Sequence, residues 1–378
     1  MAREIKDEQQ AGPSAPTAQA VPAKAPIQLQ IDEEMEKMIV QIVLEDYHSA
    51  KDARQKKDFG SDSKGAALEF DSWLKALRDL YSARREAKET PWKFCSNRSL
   101  RMATSILDMI HSRLFPSVVN EDLLRWKPGE VTDKPKAERI SKMMHWWIWV
   151  HSKMRTFFDV WVKQIAGYGD GLTESYWQVI PIDKGKTLEE PIVDETGLPL
   201  MNPDGTPATL KSRVIDKIEK TNSKVYSKED VFLQEGSRDI SQEPVVLRDE
   251  FFYRELEQGE AEGKFVNISS VLREKIHWEK PPESNLPDEE QEKIKTIKIR
   301  NVPVEILKWY GNFDADGDGF PEDVRVLVAP EYEIYLGGIA VRDLTRSGKR
   351  PLDFTKFDHR LEDPMQNWGE GVLEKVKE

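Results

Sequence analysis

The stretch "NFDADGDGFPED", residues 312–323, has residue types and spacing close to those of a known chemistry. Helix-loop-helix calcium loops take side-chain oxygens from their first, third and fifth positions. They place Gly at the sixth and a bidentate Glu at the twelfth. Asp314, Asp316, Asp318 and Gly319 meet the first four demands. Arg325, a cation, stands at the twelfth position, and Glu322 stands at the ninth. The flanks "VEILKWYG" and "DVRVLVAP" have strand character, so this is not a helix-loop-helix hand. Two readings stand. One is a polar β-hairpin turn, in which Asp-Gly supplies positive φ and the acids keep the tip in water. The other is a calcium site on Asp314, Asp316, Asp318 and Glu322. The short ligand count and the flanks favour the turn. No other cofactor is expected.

The remaining constellations ask for less. A Gly-rich turn such as "GYGDG" (167–171) cradles phosphate when a helix N-terminus follows it. Here the order is helix, loop, strand, and Asp170 repels anions, so the stretch reads as a helix-to-strand reversal. Trp146, Trp147, Trp149, Phe157, Phe158 and Trp161 are a stacking surface of the kind that binds bases. With Lys153, Arg155 and Lys163 as the nearby cations, a helix core or a subunit interface is the better reading. His145 and His151 are six apart and do not share a helix face as a metal pair. "GSRDISQEP" has a serine and acids but no His at a recognisable spacing. The sequence holds no Walker phosphate loop, no His-Glu-x-x-His and no Gly-x-Ser-x-Gly elbow, so no enzyme is expected.

Apolar spacing sets out the elements that carry these groups. Met35, Met38, Ile39, Ile42 and Val43 predict a helix from Asp32, its N-cap, to about Lys57. A second helix is expected over about 66–88, and a third from Asn97 with Pro116 helping to stop it. A long Trp-rich helix is expected over about 136–168, buried on two faces near its middle. "LTESYWQVI" (172–180), 211–220, 224–234, 294–311, 321–330 and 332–338 read as strands, and 248–276 as helical. The fold class is α+β. Five regions follow: a disordered tail (1–30), a helical region (31–180), a β-rich region with a helical end (181–278), a linker (279–300), and a β-hairpin region ending in the start of a helix (301–378).

Composition narrows the partners. Asp and Glu outnumber Lys and Arg by 68 to 56, a net charge of −12, so general phosphate gripping is not expected. Cys95 is the one cysteine, which excludes an internal disulfide and a Cys-based zinc site. No apolar run approaches the ~20 residues that span a bilayer, so no membrane association is expected.

In order, "NRSLRMATSILDMIHSRLFP" (97–116), "DVWVKQIAGYGDGLTESYWQV" (159–179), "DVFLQEGSRDI" (230–240), "LRDEFFYRELEQGEAEGKF" (247–265), "VEILKWYGNFDADGDGFPEDVRVLVA" (304–329) and "DPMQNWGEGVLEKVKE" (363–378) resemble the portal proteins of tailed bacteriophages. The resemblance covers roughly residues 60–378 and lies in order and spacing rather than in any one motif. It implies a portal-like ring subunit, with N-terminal helices forming a wing-like region. The ring, typically a dodecamer, sits at a capsid vertex as the head-tail connector. It is expected to pass double-stranded DNA without sequence-specific binding, and to meet the terminase, capsid and tail-connector proteins. The place of work is the virion, and the host cytoplasm during assembly. Portals continue past the helix in which residue 378 falls, so the chain is expected to be truncated or split there.

Overall fold

The computed structural model describes residues 28–29, 31–56, 68–83, 101–120, 126–191, 209–271, 303–315, 317–358 and 368–377. The expected linker and most of the expected tail lie outside these residues. Leu29 lies inside them: its N–H donates to Gly338 O at 2.9 Å, and its side chain packs on the core.

Two antiparallel sheets organise the chain, so the fold is α+β. Five strands run in the order β3 (Val231–Leu233), β4 (Val245–Phe252), β5 (Pro303–Phe313), β6 (Glu322–Ala329), β7 (Ile334–Ala340). The second sheet has the order β2 (Thr209–Tyr226), β1 (Asp170–Pro191), β8 (Leu352–Lys356). Pleat alternation gives the larger sheet two apolar faces. On one face Leu307, Trp309 and Val326 pack against Ile39, Val43 and Tyr47 of α1 (Glu33–Gln55). On the other, Val245, Leu247 and Tyr310 meet Leu172 and Tyr226 of the smaller sheet. Farther along that face, Val304 and Ile306 lie under Tyr253 and Leu256 of α6 (Tyr253–Ala261). Asp32 occupies the N-cap position of α1, but its side chain makes no cap hydrogen bond.

A helical cluster forms a separate core. α2 (Phe70–Ser82), α3 (Met102–Val118), α5 (Arg155–Tyr168) and α7 (Val372–Lys377) contribute Phe70, Trp73, Leu77, Leu107, Ala166 and Leu373. α3 and α5 are tied along their length by Asp108–Lys163 at 3.1 Å and His111–Asp159 at 3.2 Å. Pro116 lies inside the last turn of α3, which runs two residues past it.

Two expectations are corrected. The long Trp-rich helix is not one α-helix buried on two faces. α4 (Lys134–Trp146) runs into a π turn at Trp147–His151, the chain breaks at Lys153 (φ 53°), and α5 follows. Its middle is open: Met143, Trp146 and Val150 are each about half exposed or more. Tertiary contacts explain the turn. Trp147 stacks on Trp177 of β1 at 5.8 Å, and its Nε1 donates to Thr221 Oγ1 of β2 at 2.7 Å. His151 Nε2 lies 2.8 Å from Glu219 O. These contacts offset the poorer π geometry. The second correction concerns 248–276. Residues to Phe252 belong to β4, because Arg248 to Phe252 pair with Leu307 to Pro303 of β5.

Candidate functional site

The acidic stretch caps the β5–β6 hairpin, where Phe313 pairs with Glu322. The Asp314 and Asp318 carboxylates are turned onto their own loop. Asp314 Oδ1 accepts from Gly317 N and Oδ2 from Gly319 N, both at 2.8 Å. Asp318 Oδ1 accepts from Phe320 N at 2.8 Å. Glu322 accepts from Arg342 Nη1 at 2.9 Å. Asp316 lies outside the described residues. Among the described residues no three His, Cys, Asp or Glu side chains converge as a metal site. Ala315 tucks into the core beneath the loop, and Phe320 stands out from it, 75% exposed.

The "GYGDG" turn is the hub of a joint. Gly169 caps α5 with φ 90°, a left-handed conformation that favours glycine. The buried Asp170 carboxylate then accepts from Lys228 Nζ at 2.6 Å and from Gly369 N at 2.8 Å. Lys228 Nζ also donates to Tyr168 O at 2.9 Å and lies over the rings of Trp73 and Trp368. The turn therefore locks onto "WGEG" (368–371) near the C-terminal end of the described residues.

A buried charge network staples the two sheets together. Lys308 Nζ of β5 donates to Glu174 Oε2 of β1 at 2.7 Å and lies 3.0 Å from Asp249 Oδ2 of β4. Tyr310 OH donates to Glu174 Oε1 at 2.7 Å. The Tyr226 hydroxyl lies 2.8 Å from Glu174 and 3.0 Å from Asp249, sharing its one proton between them. Lys224 pairs with the remaining Asp249 oxygen. Burial pushes the Glu174 carboxyl up, but Lys308 and the two tyrosine hydroxyls outweigh it and hold it below its ordinary value. Asp249 is likewise held down against its burial, by Lys308 and Lys224. Burial, then the neighbouring carboxylates, push the Tyr226 hydroxyl up. Each carboxylate oxygen of the pair has a donor, and the charges balance, so the cluster suits holding two sheets in register.

A basic surface lies on the segment 126–155. It holds seven Lys and Arg against three acids, in a chain of net charge −12. Lys127, Lys134, Lys136, Arg139, Lys142 and Lys153 are exposed and make no ion pair among the described residues. Several cations elsewhere are paired, as in Lys163–Asp108, Arg248–Asp230 and Arg350–Asp323. Beyond Lys153, Arg155 and Lys163, the cations of α4 extend this surface, and their spacing puts Lys136, Arg139, Lys142 and Trp146 on one side of the helix. Where α3 ends against α4 and α5, a cavity of about 410 Å³ opens among Phe115, Pro116, Val119, His145, Trp149 and Arg155. A second, of about 470 Å³, lies on α1 around His48 and Asp52.

No helix among the described residues is long and apolar enough to cross a membrane. The chain matches no protein-family model, and no curated protein matches it.

Proposed function

We propose that this chain is a portal-type ring subunit: a structural wedge that repeats around a central channel, passes double-stranded DNA during packaging and ejection, and joins head to tail. It does no chemistry of its own on this reading. The observation that supports it is the uncovered surface of 126–155. Trp126, Met143, Trp146 and Val150 are about half exposed or more, beside cations that make no ion pair among the described residues. Such a surface costs solubility unless a partner covers it. A cyclic ring offers each subunit two different neighbouring faces. Two further features fit. The stretches that carry the resemblance at 159–179 and 363–378 meet in one joint at Asp170 and Gly369. The net charge of −12 suits a lumen through which DNA slides without sticking.

The test is the mass of the purified protein in solution. One closed assembly, at an integral multiple of 43.6 kDa, supports the reading. A monomer across the accessible concentration range contradicts it.

A further inference from the structure

We infer that the β5–β6 tip of one copy docks into the cavity at the end of α3 on the neighbouring copy, with Phe320 as the inserted side chain. This contact rests on the ring reading above and names the two surfaces that would meet.

Three observations carry it. The first is shape. Phe320 is 75% exposed on a loop made stiff by the two Asp314 hydrogen bonds and by buried Ala315. A large apolar side chain held out from a stiff loop is a ready anchor, because little ordering entropy is lost when it docks. The cavity of about 410 Å³ is lined by Phe115, Pro116, Val119 and Trp149 and has room for one aromatic ring. The second is charge. Residues 309–324 hold no Lys or Arg and carry Asp314, Asp316 and Asp318 at the tip, with Glu322 and Asp323 paired to Arg342 and Arg350, while the cavity wall holds Arg155 and His145 beside the cations of α4. Opposite fields of this kind orient an encounter. The third is topology. Tip and cavity are different surfaces, so the contact can repeat head-to-tail and close into a ring where the rotation between copies allows it. Nucleic acid is the other polyanion that suits the cations, but its phosphates would leave the apolar lining of Phe115, Pro116 and Val119 uncovered.

The test uses the full chain in a Cys95→Ser background, with Phe320→Cys and Val119→Cys introduced together. Oxidation is expected to give ladders of disulfide-linked chains, each single variant giving none. In the native background, Phe320→Ala is expected to weaken self-association by about thirtyfold, as loss of a buried anchor does. Circular dichroism checks that the variant folds. Rising salt is expected to weaken association as well. If rings form but the double-cysteine chain does not cross-link and Phe320→Ala assembles normally, this contact is overturned while the ring reading stands. If Arg155→Glu and Lys142→Glu abolish salt-dependent binding to duplex DNA and leave self-association untouched, the basic surface serves nucleic acid and the contact is again overturned. A native chain that never self-associates removes both.

Discussion

Gly169 and Gly371 meet backbone to backbone, although 202 residues separate them in the chain. A Cβ on Gly169 would lie 2.5 Å from the Gly371 nitrogen, and a Cβ on Gly371 would lie 2.5 Å from the Gly169 nitrogen. The obstacle is main chain, which cannot rotate away as a side chain can. Gly371→Ala is therefore expected to cost about 1–3 kcal/mol from overpacking alone. Gly169→Ala is expected to cost more, since its φ of 90° adds a left-handed penalty. Gly236 is the control: it has φ 71° and nothing within 4 Å, so Gly236→Ala carries the conformational penalty alone. Urea midpoints should fall from Gly236→Ala through Gly371→Ala to Gly169→Ala, the lowest.

Lys308 is the one cation that reaches both buried carboxylates of the network. Lys308→Met strands Glu174 and Asp249 near each other with Lys224 alone to compensate. A loss of about 3–5 kcal/mol is expected on chemical denaturation. A variant as stable as the native chain would show that the network holds nothing together.

The same network sets a pH dependence. Glu174 and Asp249 have folded pKa values below their unfolded ones. Their stabilisation is thus complete above the unfolded values, near ~4, and is lost as pH falls through the lower folded values. Glu174→Gln should be clearly destabilised at neutral pH, and the gap to the native chain should narrow in acid. A gap that stays constant with pH would contradict this.

Arg54 tests planarity against charge. Its guanidinium donates to Glu229 O at 3.0 Å, to Lys228 O at 3.1 Å and to Val231 O, and it lies over the Phe70 and Phe232 rings. Burial lowers its pKa to about 10, so it stays charged at neutral pH. Arg54→Lys keeps the charge but loses the fork, and is expected to cost about 2–3 kcal/mol, read from the thermal midpoint and denaturant curve.

Calcium discriminates between the two readings of the acidic tip. With Asp314 bridging Gly317 and Gly319, and Glu322 on Arg342, the turn reading predicts a hairpin that holds without an ion. The melting temperature should be the same in millimolar calcium and in EDTA. A calcium-dependent rise that Asp316→Asn abolishes would assign the ion to Asp314, Asp316, Asp318 and Glu322.

Much of the scaffold was legible in local pattern. Ile39, Val43 and Tyr47 recur with a helical period, and α1 buries those residues. Alternation in "VEILKWYG" announced β5, and Gly169 marked where α5 stops. The break between α4 and α5 was not legible. Residues 146–150 are apolar without a period, and what bends them is a ring and a hydroxyl on β1 and β2. The charge network was hidden for a related reason. Glu174 and Lys308 each look like a surface charge in an alternating strand, Asp249 falls in a stretch read as helical, and only the pairing of three distant segments buries them. The one signal was Lys308 itself, a lone cation amid the apolar residues of β5. The basic side of α4 needed only a count over residues 134–142.

The most direct measurement of the central claim is negative-stain electron microscopy of the full chain. Closed rings of uniform diameter with a central hole are the predicted result. Fields of single, separate 43.6 kDa particles at high protein concentration would contradict it.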